Sequence, residues 1–145
     1  MRTFWMSGLL LAGALWGMQA RAAEAPQLDM QMQKGQVGGH LSDGARLGLG
    51  RITDHNGHVG FQVWLEGSQA GQQPNRYVLT GAQGDSHRLR VRLEQDGWQV
   101  DNKDGKGIVL HSGDDTAMFA LVVDGDQKVV PDRYPVDVKG VSLLP

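Results

Sequence analysis

Residues 87–93 read His-Arg-Leu-Arg-Val-Arg-Leu, an unbroken alternation of apolar and polar side chains. A period of two fits a strand with one buried face. It does not fit a helix, whose apolar positions recur every third and fourth residue. Leu89, Val91 and Leu93 then point to a core, while Arg88, Arg90 and Arg92 form an outward basic row. The same beat recurs along the chain, and no helical periodicity is found after residue 22.

Taken in order, residues 27–33 alternate strictly, with Leu28, Met30 and Met32 on one face. Glycines at 35–39 break the pattern, and Asp43-Gly44 is a turn signal before a strand over 45–53. Gly48 and Gly50 inside that strand predict a bulge or a close backbone approach. Asn56-Gly57 marks a hairpin. Residues 59–66 follow with Phe61, Val63 and Leu65 inward and Gln62, Trp64 and Glu66 on the opposite face. Residues 67–75 read as a polar loop, 76–80 as a short strand, and Trp98 as a core residue leading to Val100. Residues 108–111 are a short strand, and 116–123 are apolar at nearly every position from Ala117 on, as in the middle of a sheet. Tyr134, Val136 and Val138 alternate with Pro135, Asp137 and Lys139 in a closing strand, whose proline assigns it to an edge or a bulge. Short strands with turn signals every eight to twelve residues or so predict an all-β sandwich of immunoglobulin type.

Residues 1–22 stand apart. Arg2 opens a basic start, an apolar run extends to Met18, and Ala20-Arg21-Ala22 fits the small-x-small cleavage pattern of an export leader. The run is short for a membrane span, and no later stretch is apolar enough for one, so the mature domain is expected at 23–145 with no integral membrane segment. Losing Arg2 and Arg21 leaves 12 of the 14 basic side chains against 16 acids, a net charge of −4, which argues against nucleic acid as partner. With no cysteine, the chain can form neither a disulfide nor a thiolate zinc site.

The motifs of catalysis are missing. His55 and His58 near Asp54 sit on a turn and lack a further ligand of defined geometry. The stretch 101–105 has lysine where a calcium loop needs an oxygen ligand, and no glutamate at the required offset. Asp85, Ser86 and His87 are consecutive, and neighbours along a strand point to opposite faces, so they form no triad. No enzyme activity, metal or cofactor is expected. Arg88, Arg90, Arg92 and Trp64 remain as candidate receptor-facing residues, because exposed aromatics are enriched at interfaces.

The closing strand raises a further expectation. If it is the last of its sheet, one side has no later strand to pair with, and an apolar free edge invites a partner. A groove between the first and last strands is then lined by Leu28, Met30 and Met32 on one side and Tyr134, Val136 and Val138 on the other. Only 23–26 precede the first strand in the mature chain, which favours a subunit that accepts a strand without donating one; the alternative is that 28–32 are themselves the donor.

Several segments recur together in a known family: Leu41-x-Asp43-Gly44-Ala45-Arg46, Gly50-Arg51-Ile52, Gly60-Phe61-x-Val63-Trp64, Arg76-Tyr77-Val78, His87-x-Leu89-Arg90-Val91-Arg92, Asp96-Gly97-Trp98, Gly105-Lys106-Gly107 and Tyr134-x-Val136-x-Val138-x-Gly140. On these the chain resembles the AfaD-like invasin subunits of Afa/Dr-type chaperone–usher fimbriae, from about Leu28 to Pro145. The resemblance implies an incomplete immunoglobulin-like β-sandwich of pilin type, completed by a donor strand from a periplasmic chaperone and then from a neighbouring subunit at the outer-membrane usher. It also implies a place at the fimbrial tip and host-cell adhesion or invasion, with integrins as receptors for some relatives. A disulfide between an early and the final strand is implied as well; the matching positions here carry Asp54 and Ser142. The alternative function is a self-contained periplasmic or secreted β-sandwich that binds a ligand or protein.

Overall fold

The computed structural model describes residues 25–145, and the expected leader at 1–22 lies outside them. Among the described residues all regular structure is β: β1 (Gln27–Met32), β2 (Val37–Leu41), β3 (Arg46–Thr53), β4 (Gly60–Leu65), β5 (Ser68–Gln69), β6 (Arg76–Gly81), β7 (Gly84–Glu94), β8 (Gln99–Val100), β9 (Ile108–His111), β10 (Thr116–Val123), β11 (Gln127–Asp132) and β12 (Val138–Leu143). One sheet has the order β1-β3-β10-β7-β6-β5 and the other β12-β4-β9-β8, with a β2–β11 ribbon beside them. Every pairing is antiparallel.

The alternating apolar faces of the two sheets meet in one core. Ile52, Leu89, Val91, Leu93, Phe119 and Leu121 come from the first sheet, and Phe61, Val63 and Ile108 from the second. β10, apolar on both faces, lies between β3 and β7 and is buried from Phe119 to Val123, while Met118 on its outer face is 40% exposed. The glycines of β3 fulfil both expected roles. The β3–β10 register slips beside Gly48, so Leu47 is the extra residue of a bulge. A Cβ on Gly50 would lie 2.2 Å from Cζ of Phe119, so the Phe119 ring occupies the space a side chain would need. Trp98 packs edge-on to Phe119 at 5.8 Å and donates from Nε1 to the Met118 carbonyl.

Four sequence readings are corrected. Asn56-Gly57 closes no hairpin, because β3 and β4 lie in different sheets and β4 pairs with β12 and β9. The glycine-rich 35–39 does not merely interrupt the chain, because β2 starts at Val37 and pairs with β11. The polar loop at 67–75 contains β5. The single closing strand expected after the turn at 124–126 is two strands, β11 and β12, and Tyr134 and Val136 fall in the segment 133–137 between them. Asp132, 2% exposed, breaks the ladder there: its carboxylate accepts the backbone N–H groups of Gln83 and Arg133 and pairs with His87. Pro135 has no N–H to give to a neighbouring strand, so regular pairing resumes only at Val138.

Candidate functional site: the open edges of the sandwich

Each sheet has one long and one short edge strand. β5 and β8, at the far edges, have two residues each, whereas β1 and β12 have six. β1 pairs only with β3 and β12 only with β4 among the described residues, and the two long strands approach each other across the sheets. A short edge strand offers few free backbone groups; a six-residue edge offers a row of them.

The side chains between these edges follow from the alternation. Leu28, Met30 and Met32 face Ile52, Gly50 and Gly48 of β3. Met32 lies so close to Gly48 that a Cβ there would be 2.5 Å from its sulfur. On the opposite wall a Cβ on Gly140 would be 2.9 Å from Cδ1 of Ile52, so β12 approaches the floor through bare backbone. Leu28, Met30, Met32, Val136 and Val138 are each partly buried and packed on the core. Tyr134 differs: it is 8% exposed, belongs to the core, and its hydroxyl donates to the Val130 carbonyl at 2.6 Å. Burial raises the Tyr134 pKa, so the phenol stays neutral. Tyr134 therefore presents little surface to a ligand, while the other five form an apolar row that is partly exposed.

The end of β12 is tied down by a polar contact that no local pattern announces. The Ser142 hydroxyl donates to Oδ2 of Asp54 at 2.5 Å, and the Asn56 backbone N–H donates to Oδ1 at 2.9 Å. Asp54 is 7% exposed, and these two donors, Ser142 first, hold its carboxyl below the usual carboxylate pKa. The positions that the resemblance matches to a disulfide thus meet through a charge-assisted hydrogen bond.

The basic row divides. Arg88 and Arg90 are exposed and have no ion-pair partner among the described residues, standing opposite Thr80 and Val78. Arg92 is only 16% exposed: its guanidinium meets Asp43 at 2.6 Å, Glu94 at 2.7 Å and Asp124 at 3.0 Å, and also donates to the Val123 carbonyl. Its expected place in an open outward row is corrected by this network, which ties β7 to the turn between β2 and β3 and the turn after β10. Trp64 is half-buried, with the Lys106 ammonium 4.3 Å above its ring, so that face of the indole is covered. Its neighbour Gln62, expected on an open face, is buried and donates from Nε2 to Asp101 and to the Lys106 carbonyl, both at 2.8 Å. No group of three histidine or acidic side chains able to hold a metal converges among the described residues.

Comparison with known proteins agrees with this geometry. A family model described as Enterobacteria AfaD invasin protein matches residues 37–140. Protein AfaD of Escherichia coli is 33% identical over 134 residues, covering 92% of this chain and 90% of its own. The crystal structure of the Salmonella SafD adhesin is similar with a TM-score of 0.79 at 38% identity, covering 83% of this chain and 86% of that one. The E. coli Hda pilus minor tip subunit, HdaB, follows with a TM-score of 0.78 at 30% identity, over 84% and 85% of the two chains.

Proposed function

This chain belongs to the AfaD invasin family, and from that premise we propose that it is a minor subunit of a fimbrial tip, completed by a strand lent by another polypeptide. Its fold is the incomplete immunoglobulin-like sandwich of pilus subunits, and its relatives are adhesins and fimbrial subunits, not enzymes. The observation that carries the donor-strand reading is the contrast of edges: two-residue strands at the far side, two six-residue strands with a half-buried apolar row at the near side.

A strand added between β1 and β12 pairs backbone with backbone and places alternate side chains over Leu28, Met30, Met32, Val136 and Val138. Burying four or five donor side chains at about 1.5–3 kcal/mol each gives a gross gain on the order of 10 kcal/mol. That matches the net stability of a whole domain, about 5–15 kcal/mol. The donors are a periplasmic chaperone during transit and a neighbouring subunit at the outer-membrane usher. Residues 1–22 serve as the export leader, and 23–145 as the subunit. At the cell surface the exposed Arg88 and Arg90, with Trp64 on the other sheet, are the residues offered to a host-cell receptor.

The test is a thermal melt of the protein with and without a synthetic peptide of alternating apolar and polar residues. A rise of ten degrees or more with the peptide, absent with a scrambled one of the same composition, is expected. A reversible melt that neither peptide moves refutes the reading and leaves a self-contained sandwich. Replacing Arg88 and Arg90 by serine is expected to weaken cell binding at low salt, and unchanged binding removes them from the receptor face.

A further inference from the structure

His58 follows β3 in the turn to β4, is 8% exposed, and lies 4.6 Å from the Phe61 ring. Its Nδ1 is 2.7 Å from the Asn56 carbonyl oxygen and its Nε2 is 2.7 Å from the Asp114 carbonyl oxygen. Carbonyl oxygens only accept, so both contacts are hydrogen bonds only when both ring nitrogens carry protons. Neutral imidazole satisfies one and turns a lone pair toward the other. The site is built for the cation.

The ring thereby stitches the turn after β3 to the turn before β10. The first of these turns holds the end of β12, since Ser142 donates to Asp54 and the Val59 N–H donates to the Leu143 carbonyl at 2.7 Å, and it is tied to the second by the Asp54 N–H, which donates to the Asp115 carbonyl at 2.8 Å. The charged groups facing the ring are Asp54 at the end of β3 and Asp115 before β10, the latter paired with His55 at 2.9 Å. From β4 the neighbour is the uncharged Phe61 ring, and β12 contributes the Ser142 hydroxyl on Asp54.

We propose that His58 is a protonation latch beside the end of β12, one wall of the groove: as a cation it locks the two turns and, through Asp54 and Val59, the C-terminal half of β12, and on losing its proton it lets that half loosen. The groove depends on the donor-strand reading, whereas the latch stands without it. The two carbonyls, with the carboxylates in support, raise the His58 pKa above its ordinary 6.5 although burial opposes them. Its contribution is therefore complete below about 6.5 and fades as pH rises through the higher folded value. Asp54 has the opposite sign: its lowered pKa leaves its contribution intact above 3.8, and it is lost only as pH falls through the folded value. The latch is closed across the mildly acidic range between them.

The test is an NMR titration of the histidine ring protons in the full chain from about pH 5 to 9, with backbone amide protection followed in parallel. His58 is assigned through its contact with Phe61, so no variant has to fold. The expected result is a His58 midpoint above 6.5, with protection of Val141 and Leu143, whose amides face β4, falling through that midpoint by about tenfold per unit of raised pKa while β7 and β10 hold. In His58→Gln the same amides are weakly protected at every pH. A midpoint at or below 6.5, or β12 protection that ignores it, overturns the latch. A donor peptide that fails to stabilise the chain overturns the groove instead, so the two failures are distinguishable.

Discussion

Arg92→Ala separates a structural arginine from a displayed one. Asp43 and Glu94, with side chains 54% and 47% exposed, are screened by solvent and contribute little to the guanidinium. Asp124 is different, since it is 11% exposed and faces an arginine that is 16% exposed. Breaking a pair largely removed from water costs about 3–5 kcal/mol when the other charge is stranded. Asp124 is not fully stranded, because Arg76 lies 3.2 Å from the same oxygen. The expected loss is therefore about 2–3 kcal/mol, on the order of 10 °C in melting temperature for a domain of this size. Urea unfolding with donor peptide at saturation measures it, and a cycle with Asp124→Asn is expected to show a coupling of about 1–2 kcal/mol. Arg88→Ala and Arg90→Ala, exposed and unpaired, should stay within about 0.5 kcal/mol of the parent. An Arg92→Ala chain as stable as the parent, with no coupling to Asp124, refutes the assignment and returns Arg92 to the open basic row.

The remaining expectations concern the clasp and the core. Ser142→Ala removes a hydrogen bond to a buried carboxylate, at a cost of about 1.5–3 kcal/mol. Because Ser142 is the largest influence lowering the Asp54 pKa, the acid limb of unfolding should also move to higher pH; an unmoved limb contradicts the clasp. Gly50→Ala drives a methyl into the Phe119 ring and should cost about 1–3 kcal/mol, read by thermal melt, with partial rescue by Phe119→Leu. Equal stability would mean that the ring does not fill the glycine's space.

Much of the fold was legible because strand burial is a local property. The strands at 108–111 and 116–123 were read to the residue, and Leu89, Val91, Leu93, Phe61 and Val63 were placed in the core from alternation alone. The misses have a common cause. β2 and β5 are short and rich in glycine or polar residues, so they are strands only because β11 and β6 pair with them. The groove row of Leu28, Met30, Met32, Val136 and Val138 could be named from periodicity, whereas the burial of Tyr134 depends on the Val130 carbonyl and a core assembled from other strands. Nothing in the strict alternation of 87–93 distinguishes Arg92 from Arg88. The carboxylate that makes the difference, Asp124, arrives from 32 positions away.

The amino-acid order alone determined an all-β chain of alternating strands without cysteine or catalytic motif, because a period of two admits one kind of packing wherever it occurs. Only the tertiary structure decided which edges stay open, which arginine is sequestered, and that Asp54, Ser142 and His58 converge at the end of β12. Those outcomes depend on which strands become neighbours. Ser142 and Asp54 stand 88 positions apart, and hydrogen bonds and charge act over a few ångströms of space, whatever the separation along the chain.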